Sequence, residues 1–197
     1  MQGSKIRLSP AEAALFCNAE VILTKNSILQ KTVDLLGEVQ TTLTTIAPRM
    51  IRDVSPSPKI SKGENYLGLP YVVLDYPRIA TNQNLFFIRS MFWWGKFYSS
   101  TLQISGSYKQ QFEGKLSQGF ELLKERRYFI GVNTDPWAHH FEESNYQPIT
   151  GLSAAAFRFL LAKEPHIKIA ASWPISEWDL AANRLTASWK FLTELIA

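Results

Sequence analysis

The stretch Asn133-Thr134-Asp135-Pro136-Trp137-Ala138-His139-His140-Phe141-Glu142-Glu143 holds two of the chain's three histidines, three carboxylates and no cation. If residues 137–143 wind into a helical turn, His139 and Glu143 share a face at i and i+4, with Asp135 and His140 able to close around the same point. Imidazole with carboxylate is a ligand set for zinc or non-haem iron. A carboxylate beside a histidine also raises its pKa and makes an acid/base pair. The ordinary alternative weighs more. Asp-Pro opens a turn, Trp137 and Phe141 anchor the loop, and the histidines and glutamates are solvated. The pattern assigns no metal and names no cofactor.

A second candidate is the pair Asp75 and Arg89, expected on neighbouring strands. Arg89 interrupts a stretch, Leu85 to Trp94, that is otherwise almost wholly apolar. A guanidinium there needs a carboxylate or an anionic ligand, because an unpaired buried charge is very costly. One reading is an anion site built on Arg89, joined by Arg78. The other, which weighs more, is an internal Arg89–Asp75 bridge.

A third candidate is the aromatic cluster Phe86, Phe87, Phe92, Trp93, Trp94, Phe97 and Tyr98. Aromatic strands stack bases in single-strand binders, but only Arg89 and Lys96 interleave here and the RNP1 pattern is missing. Core packing is the default. Because successive strand residues face opposite sides, aromatics on both parities require two covers. One is the chain's own helices; the other is a partner subunit or an apolar ligand.

The sequence has no G-x-G-x-x-G, P-loop, G-x-S-x-G or H-E-x-x-H motif. Its 197 residues carry Lys+Arg 21 against Asp+Glu 17, a formal charge of +4. The excess is spread thinly, with Arg126-Arg127 the one adjacent basic pair. Phosphate binders need converging cations, so nucleic acid weighs little as a partner. At 46% hydrophobic and 13% aromatic residues, the chain has ample apolar surface to fold. Its single cysteine, Cys17, excludes an intramolecular disulfide or a multi-cysteine zinc site. No apolar run reaches membrane-spanning length, the N-terminus does not read as a signal peptide and there is no N-x-[ST] acceptor. These features favour the cytoplasm and no membrane partner.

The elements that must position these residues follow from periodicity. Ser9-Pro10-Ala11-Glu12 reads as a capping box opening a helix to about Lys25. A second helix follows from Asn26, with Leu29, Val33, Leu36, Leu43 and Ile46 on one stripe. Together they form an expected helical hairpin over 9–47. Residues 53–63, with Pro56 and Pro58, read as a linker to a body spanning 64–197. Strands are expected over Tyr66–Tyr76, Leu85–Trp94 and Phe97–Ser105, the last two joined by a two-residue turn at Gly95-Lys96. A helix from Ser107 to about Arg126, a short strand Tyr128–Val132, a loop over 133–150, a helix Leu152–Ala162 and a strand His166–Trp173 come next. Ser176 then caps a last amphipathic helix with Trp178, Leu185, Trp189 and Leu192 on one face.

The expected fold is therefore α+β in a single domain, 1–197. Its mainly antiparallel sheet centres on a hairpin at about 85–105, with the N-terminal helical hairpin and the C-terminal helix packed on it. The expected function is a non-catalytic ligand-binding or protein-interaction module, self-associating through apolar surface or taking a small apolar or anionic ligand. The alternative is a metal-assisted or acid/base hydrolase-like enzyme using the 135–143 loop.

Overall fold

The computed structural model describes residues 5–197. In chain order the elements are α1 Pro10–Phe16, α2 Ala19–Ile46, α3 Arg49–Arg52, β1 Lys59–Tyr66, β2 Leu69–Thr81, β3 Asn84–Trp93 and β4 Phe97–Ser105. They continue with α4 Ser107–Gln118, α5 Phe120–Glu125, β5 Phe129–Gly131, β6 Tyr146–Pro148, α6 Ala154–Lys163, β7 His166–Pro174 and α7 Ala181–Leu195. The seven strands form one sheet in the order β1-β2-β3-β4-β7-β5-β6. Every pairing is antiparallel. The fold is α+β with the hairpin β3–β4 at its centre, as its alternation requires.

β3 lies flat with both sides hidden: Phe86, Ile88, Ser90, Met91, Phe92 and Trp93 are all buried. On one side, Phe86, Ile88 and Phe92 join Leu102, Ile104, Ile167 and Ile169 in the main core, which α2, α4, α5, α6 and α7 cover. α7 docks through Trp189, whose Nε1 donates to Tyr76 O at 2.5 Å and whose ring stacks on Tyr76 at 5.9 Å. α4 and α5 meet at Gly119, where a Cβ would come within 2.3 Å of Leu195 Cδ1. A side chain at this position would displace the Leu195 methyl of α7.

The other side of the sheet carries a smaller apolar cluster, Val73, Met91 and Trp93, flanked by Tyr66, Tyr71 and Phe97. Its remaining positions are polar, and the 132–145 segment lies over them. The second cover is thus the chain's own loop.

Several boundaries differ from the periodicity. The N-terminal break falls at Cys17–Asn18, where Asn18 Oδ1 accepts Val21 N at 3.2 Å. Asn26 lies inside a 28-residue helix, where its modest propensity cost is a few tenths of a kcal/mol. Residues 59–63 of the expected linker form edge strand β1, paired with β2 from Lys59↔Asp75 to Gly63↔Tyr71. Their polar side chains suit an edge and hide the strand from a hydrophobicity reading. The β3–β4 turn has three residues, Trp94 to Lys96, because Trp93 pairs with Phe97. Tyr146–Pro148 closes the far edge of the sheet as β6, inside the expected loop. Ser176 makes no cap; a 3-10 stretch, Ile175–Leu180, leads into α7 instead.

Candidate functional site

Register places the chemistry. Asp75 on β2 sits opposite Arg89 on β3, which sits opposite Thr101 on β4, which sits opposite Ala170 on β7. Lys168, two residues before Ala170, sits opposite Gln103. These side chains share the side of the sheet that the loop covers. A band of polar groups therefore crosses the sheet beneath residues 132–145.

Asp75 and Arg89 form a two-pronged ion pair: Nε to Oδ1 at 2.7 Å and Nη2 to Oδ2 at 2.8 Å. Nη1 completes the fork on His139 Nε2 at 2.9 Å. Arginine has no acceptor, so His139 must accept here, which fixes its proton on Nδ1. Burial, the Arg89 cation, Lys168 and His140 hold the His139 imidazole well below the usual histidine range, so it is neutral. Trp137 lies 5.7 Å from the guanidinium as a cation–π partner and meets Phe87 edge-on at 6.0 Å. With Nε, Nη1 and Nη2 all engaged, Arg89 is an internal bridge. Arg78 does not join it. A bulge in β2 between Asp75 and Arg78 shifts the register, and Arg78 Nε donates to Ser57 O at 2.6 Å, strapping the segment before β1.

Lys168 is 1% exposed. Its Nζ donates to the carbonyl of Ala138 and stands 4.9 Å over the Tyr146 ring. Burial, with the Arg89 cation acting in the same direction and Asp135 against it, brings the ammonium down to about 7. The close pairing of β5 beside this stem uses Gly131, where a Cβ would be 2.9 Å from Lys168 Cβ. His166, on the same strand, is lowered as well, by burial and by Lys168, with Glu164 opposing.

The loop carries neither helix nor strand between Gly131 and Tyr146, and alternate side chains meet the sheet. Trp137, His139 and Phe141 all contact the sheet side, a period of two. Phe141 stacks on Tyr146 at 4.5 Å and meets Phe97 and Phe129 edge-on. His140 turns instead to Tyr66, whose hydroxyl lies 3.2 Å from His140 Nδ1 and accepts His139 N at 2.5 Å and His140 N at 3.2 Å. Asp135 caps the loop's entry, its Oδ1 accepting Trp137 N at 2.8 Å. Asn145 Nδ2 closes the exit on His140 O at 2.6 Å.

Glu143 is exposed. Residues 137–143 contain no helical turn, so the i and i+4 pairing of His139 with Glu143 does not form. Pro136 and the Asp135 cap set a turn there instead. Among the described residues, no group of three or more His, Cys, Asp or Glu side chains could hold a metal ion. The sequence offers Asp75 with Arg89 and the loop residues Trp137 and His139 as two separate candidates. The structure joins them into one cluster through Arg89 and adds Lys168 and Tyr66, which the sequence reading does not single out. Lys168 carried the signal used for Arg89, a cation amid Ile167, Ile169 and Ala170; Tyr66 carried none.

A contrasting surface lies at the N-terminus. α1 buries no residue, and α2 buries Thr32, Leu36, Val39 and Leu43 while leaving its first three turns uncovered. Leu15, Phe16, Val21, Ile22, Leu23 and Ile28 are 42–74% exposed. Ile28 also lines a cavity of about 220 Å³ with Phe92, Trp94, Ile175 and Trp178.

No family model matches the sequence, and neither the curated proteins nor the solved structures compared with it contain a match. No helix of the described residues is long and apolar enough to cross a membrane.

Proposed function

We propose that this chain is a non-catalytic interaction module that engages a protein partner through its N-terminal arm, α1 and the first turns of α2. One observation carries the reading: Leu15, Phe16, Val21, Ile22, Leu23 and Ile28 are all exposed on a helical segment that buries no residue before Thr32. Scattered apolar residues on a surface need no explanation, but a helix that is apolar on several sides belongs in an interior. The 132–145 loop, by contrast, is an internal clasp: its inward side chains are engaged by the sheet. The test is apolar-dye uptake by dilute protein. Phe16→Asp with Leu23→Asp lowers bis-ANS fluorescence while the near-UV spectrum of the body stays unchanged. Undiminished uptake by that variant contradicts the assignment.

A second reading keeps the loop cluster as an acid/base site. Lys168, its ammonium lowered by burial to about 7, gives up its proton far more readily at neutrality than an exposed lysine, as a general base or nucleophile requires. The buried Gln103 Nε2 and Asn145 Oδ1 lack partners on that side of the sheet. This reading expects Lys168 to react with an aldehyde and borohydride at pH 7 ahead of the exposed lysines. Labelling confined to surface lysines removes it.

A further inference from the structure

We infer that the arm's partner is a second copy of this chain, two arms packing antiparallel about a two-fold axis. The inference rests on the interaction reading above and supplies its partner.

The area argues for it. With ~150 Å² as the scale of a large apolar side chain, Val21, Ile22 and Ile28, which share one face of α2, and Leu15 and Phe16 of α1, at 42–74% exposure, leave on the order of 400 Å² of apolar surface on one arm. That lies within the ~300–600 Å² of the largest patch on a monomer, a patch that is often functional. Two arms together, with the polar atoms around them, reach the ~1,200 Å² at which stable interfaces begin. The surface also continues onto the body, because Ile28 belongs both to the arm and to the 220 Å³ apolar cavity beside it.

Helix length argues the same way. α1 has seven residues, opens on a complete capping box at Ser9 and Glu12, and buries nothing. Isolated helices shorter than ~12–15 residues are marginal in water. Packing supplied by another chain accounts for a helix at this position.

Charge sets the direction and the class of partner. Between residues 10 and 31 the charged side chains are Glu12 and Glu20, then Lys25 and Lys31. Antiparallel pairing sets the acidic half of each arm against the basic half of the other, and parallel pairing sets like against like. Lys25 is already held by Glu64 at 2.7 Å, with both side chains open to solvent. A balanced arm of this kind lacks the Lys/Arg-rich polar face that draws a helix to an anionic lipid surface. A closed two-fold pair is also the commonest way for one surface to satisfy itself.

The experiment is sedimentation velocity on the full chain from about 1 to about 100 µM, a range that resolves micromolar dissociation constants. The wild type sediments as a dimer that dissociates on dilution, and a short bismaleimide links two chains through Cys17, which is exposed on the arm. Phe16→Asp and Ile22→Asp each weaken association roughly tenfold or more, with the tryptophan near-UV spectrum unchanged. The wild-type dilution series and the Cys17 link stand even if a variant misfolds. A monomer at every concentration whose arm takes up bis-ANS overturns self-pairing and leaves the arm open to a different protein. A monomer that pellets with phosphatidylserine vesicles overturns it in favour of a lipid surface. A monomer whose arm takes up no dye and resists protease overturns both this inference and the interaction reading.

Discussion

Residues 10–31 and residues 132–145 both leave the framework of the sheet, and the chain treats them in opposite ways. The arm is regular helix with its apolar side chains outward; the loop is irregular backbone with its aromatic and ionisable side chains inward. At 100° per residue, Val21, Ile22 and Ile28 continue the stripe that Leu36, Val39 and Leu43 bury further along α2. The stripe outlasts the body it packs on. Regular structure is thus no sign of being covered, nor irregular structure of being open. Trp137, His139 and Phe141 fasten a loop more firmly than a capping box fastens α1.

The comparison breaks most visibly at Arg89. Arg89→Met leaves Asp75 buried without its partner and costs about 3–5 kcal/mol, while pairing it with Asp75→Leu recovers most of the loss. Urea unfolding of the single and double variants checks this; equal losses in both would show that the pair does not act as a unit.

Next in size is the contrast between the two ends of α2. Leu36→Ala removes a side chain that is 0% exposed and costs about 2–5 kcal/mol. Ile22→Ala, on the same stripe, changes the stability of dilute chains by no more than about 0.5 kcal/mol. Comparable losses at both positions would mean that the arm is packed against its own body.

Acidity sharpens the picture of the loop. Lys168 is depressed to about 7 from its ordinary 10.5, so the unfolded chain binds the extra proton between those values and stability rises with pH across that window. His139 and His166 are also depressed. The unfolded chain takes up their protons first as pH falls through 6.5, and stability declines further toward pH 5. Unfolding midpoints at pH 5, 7 and 9 therefore rise in that order. Lys168→Met flattens the upper step; a slope unchanged in that variant would assign the effect elsewhere.

The smallest expected effect is at Trp137. Trp137→Ala removes a cation–π contact and an edge-on ring contact from a side chain that is 44% exposed, and costs about 1 kcal/mol. It speeds amide exchange across 132–145 while leaving the arm as it was. Faster exchange spread evenly over the chain would argue against a local clasp.

How much of this was legible beforehand depended on the kind of signal. The hairpin β3–β4 announces itself through alternation and a glycine turn, and Arg89 through the cost of its own charge. The pairing with Asp75 followed from that cost. β1 did not show, because an exposed edge carries Lys59, Ser61 and Lys62 in place of apolar alternation. The break falls at Asn18, eight residues before Asn26; the two cap equally well by type and the sequence does not choose between them, whereas in the structure Asn18 Oδ1 accepts Val21 N. The pairing of His139 with Glu143 does not form because it needs a helix where Asp135 and Pro136 begin a turn and the residues after it are neither helix nor strand. Lys168 carries the same signal as Arg89, a cation among apolar neighbours, and its place opposite Gln103 brings it under the loop.

Amide hydrogen exchange on the whole chain, read at low and at high protein concentration, tests the account most directly. On dilution, amides of residues 10–28 exchange fast while those of 132–145 stay protected, and concentrating the protein slows exchange in the arm alone. An arm protected at every dilution, or a loop exchanging as quickly as the arm, would contradict it.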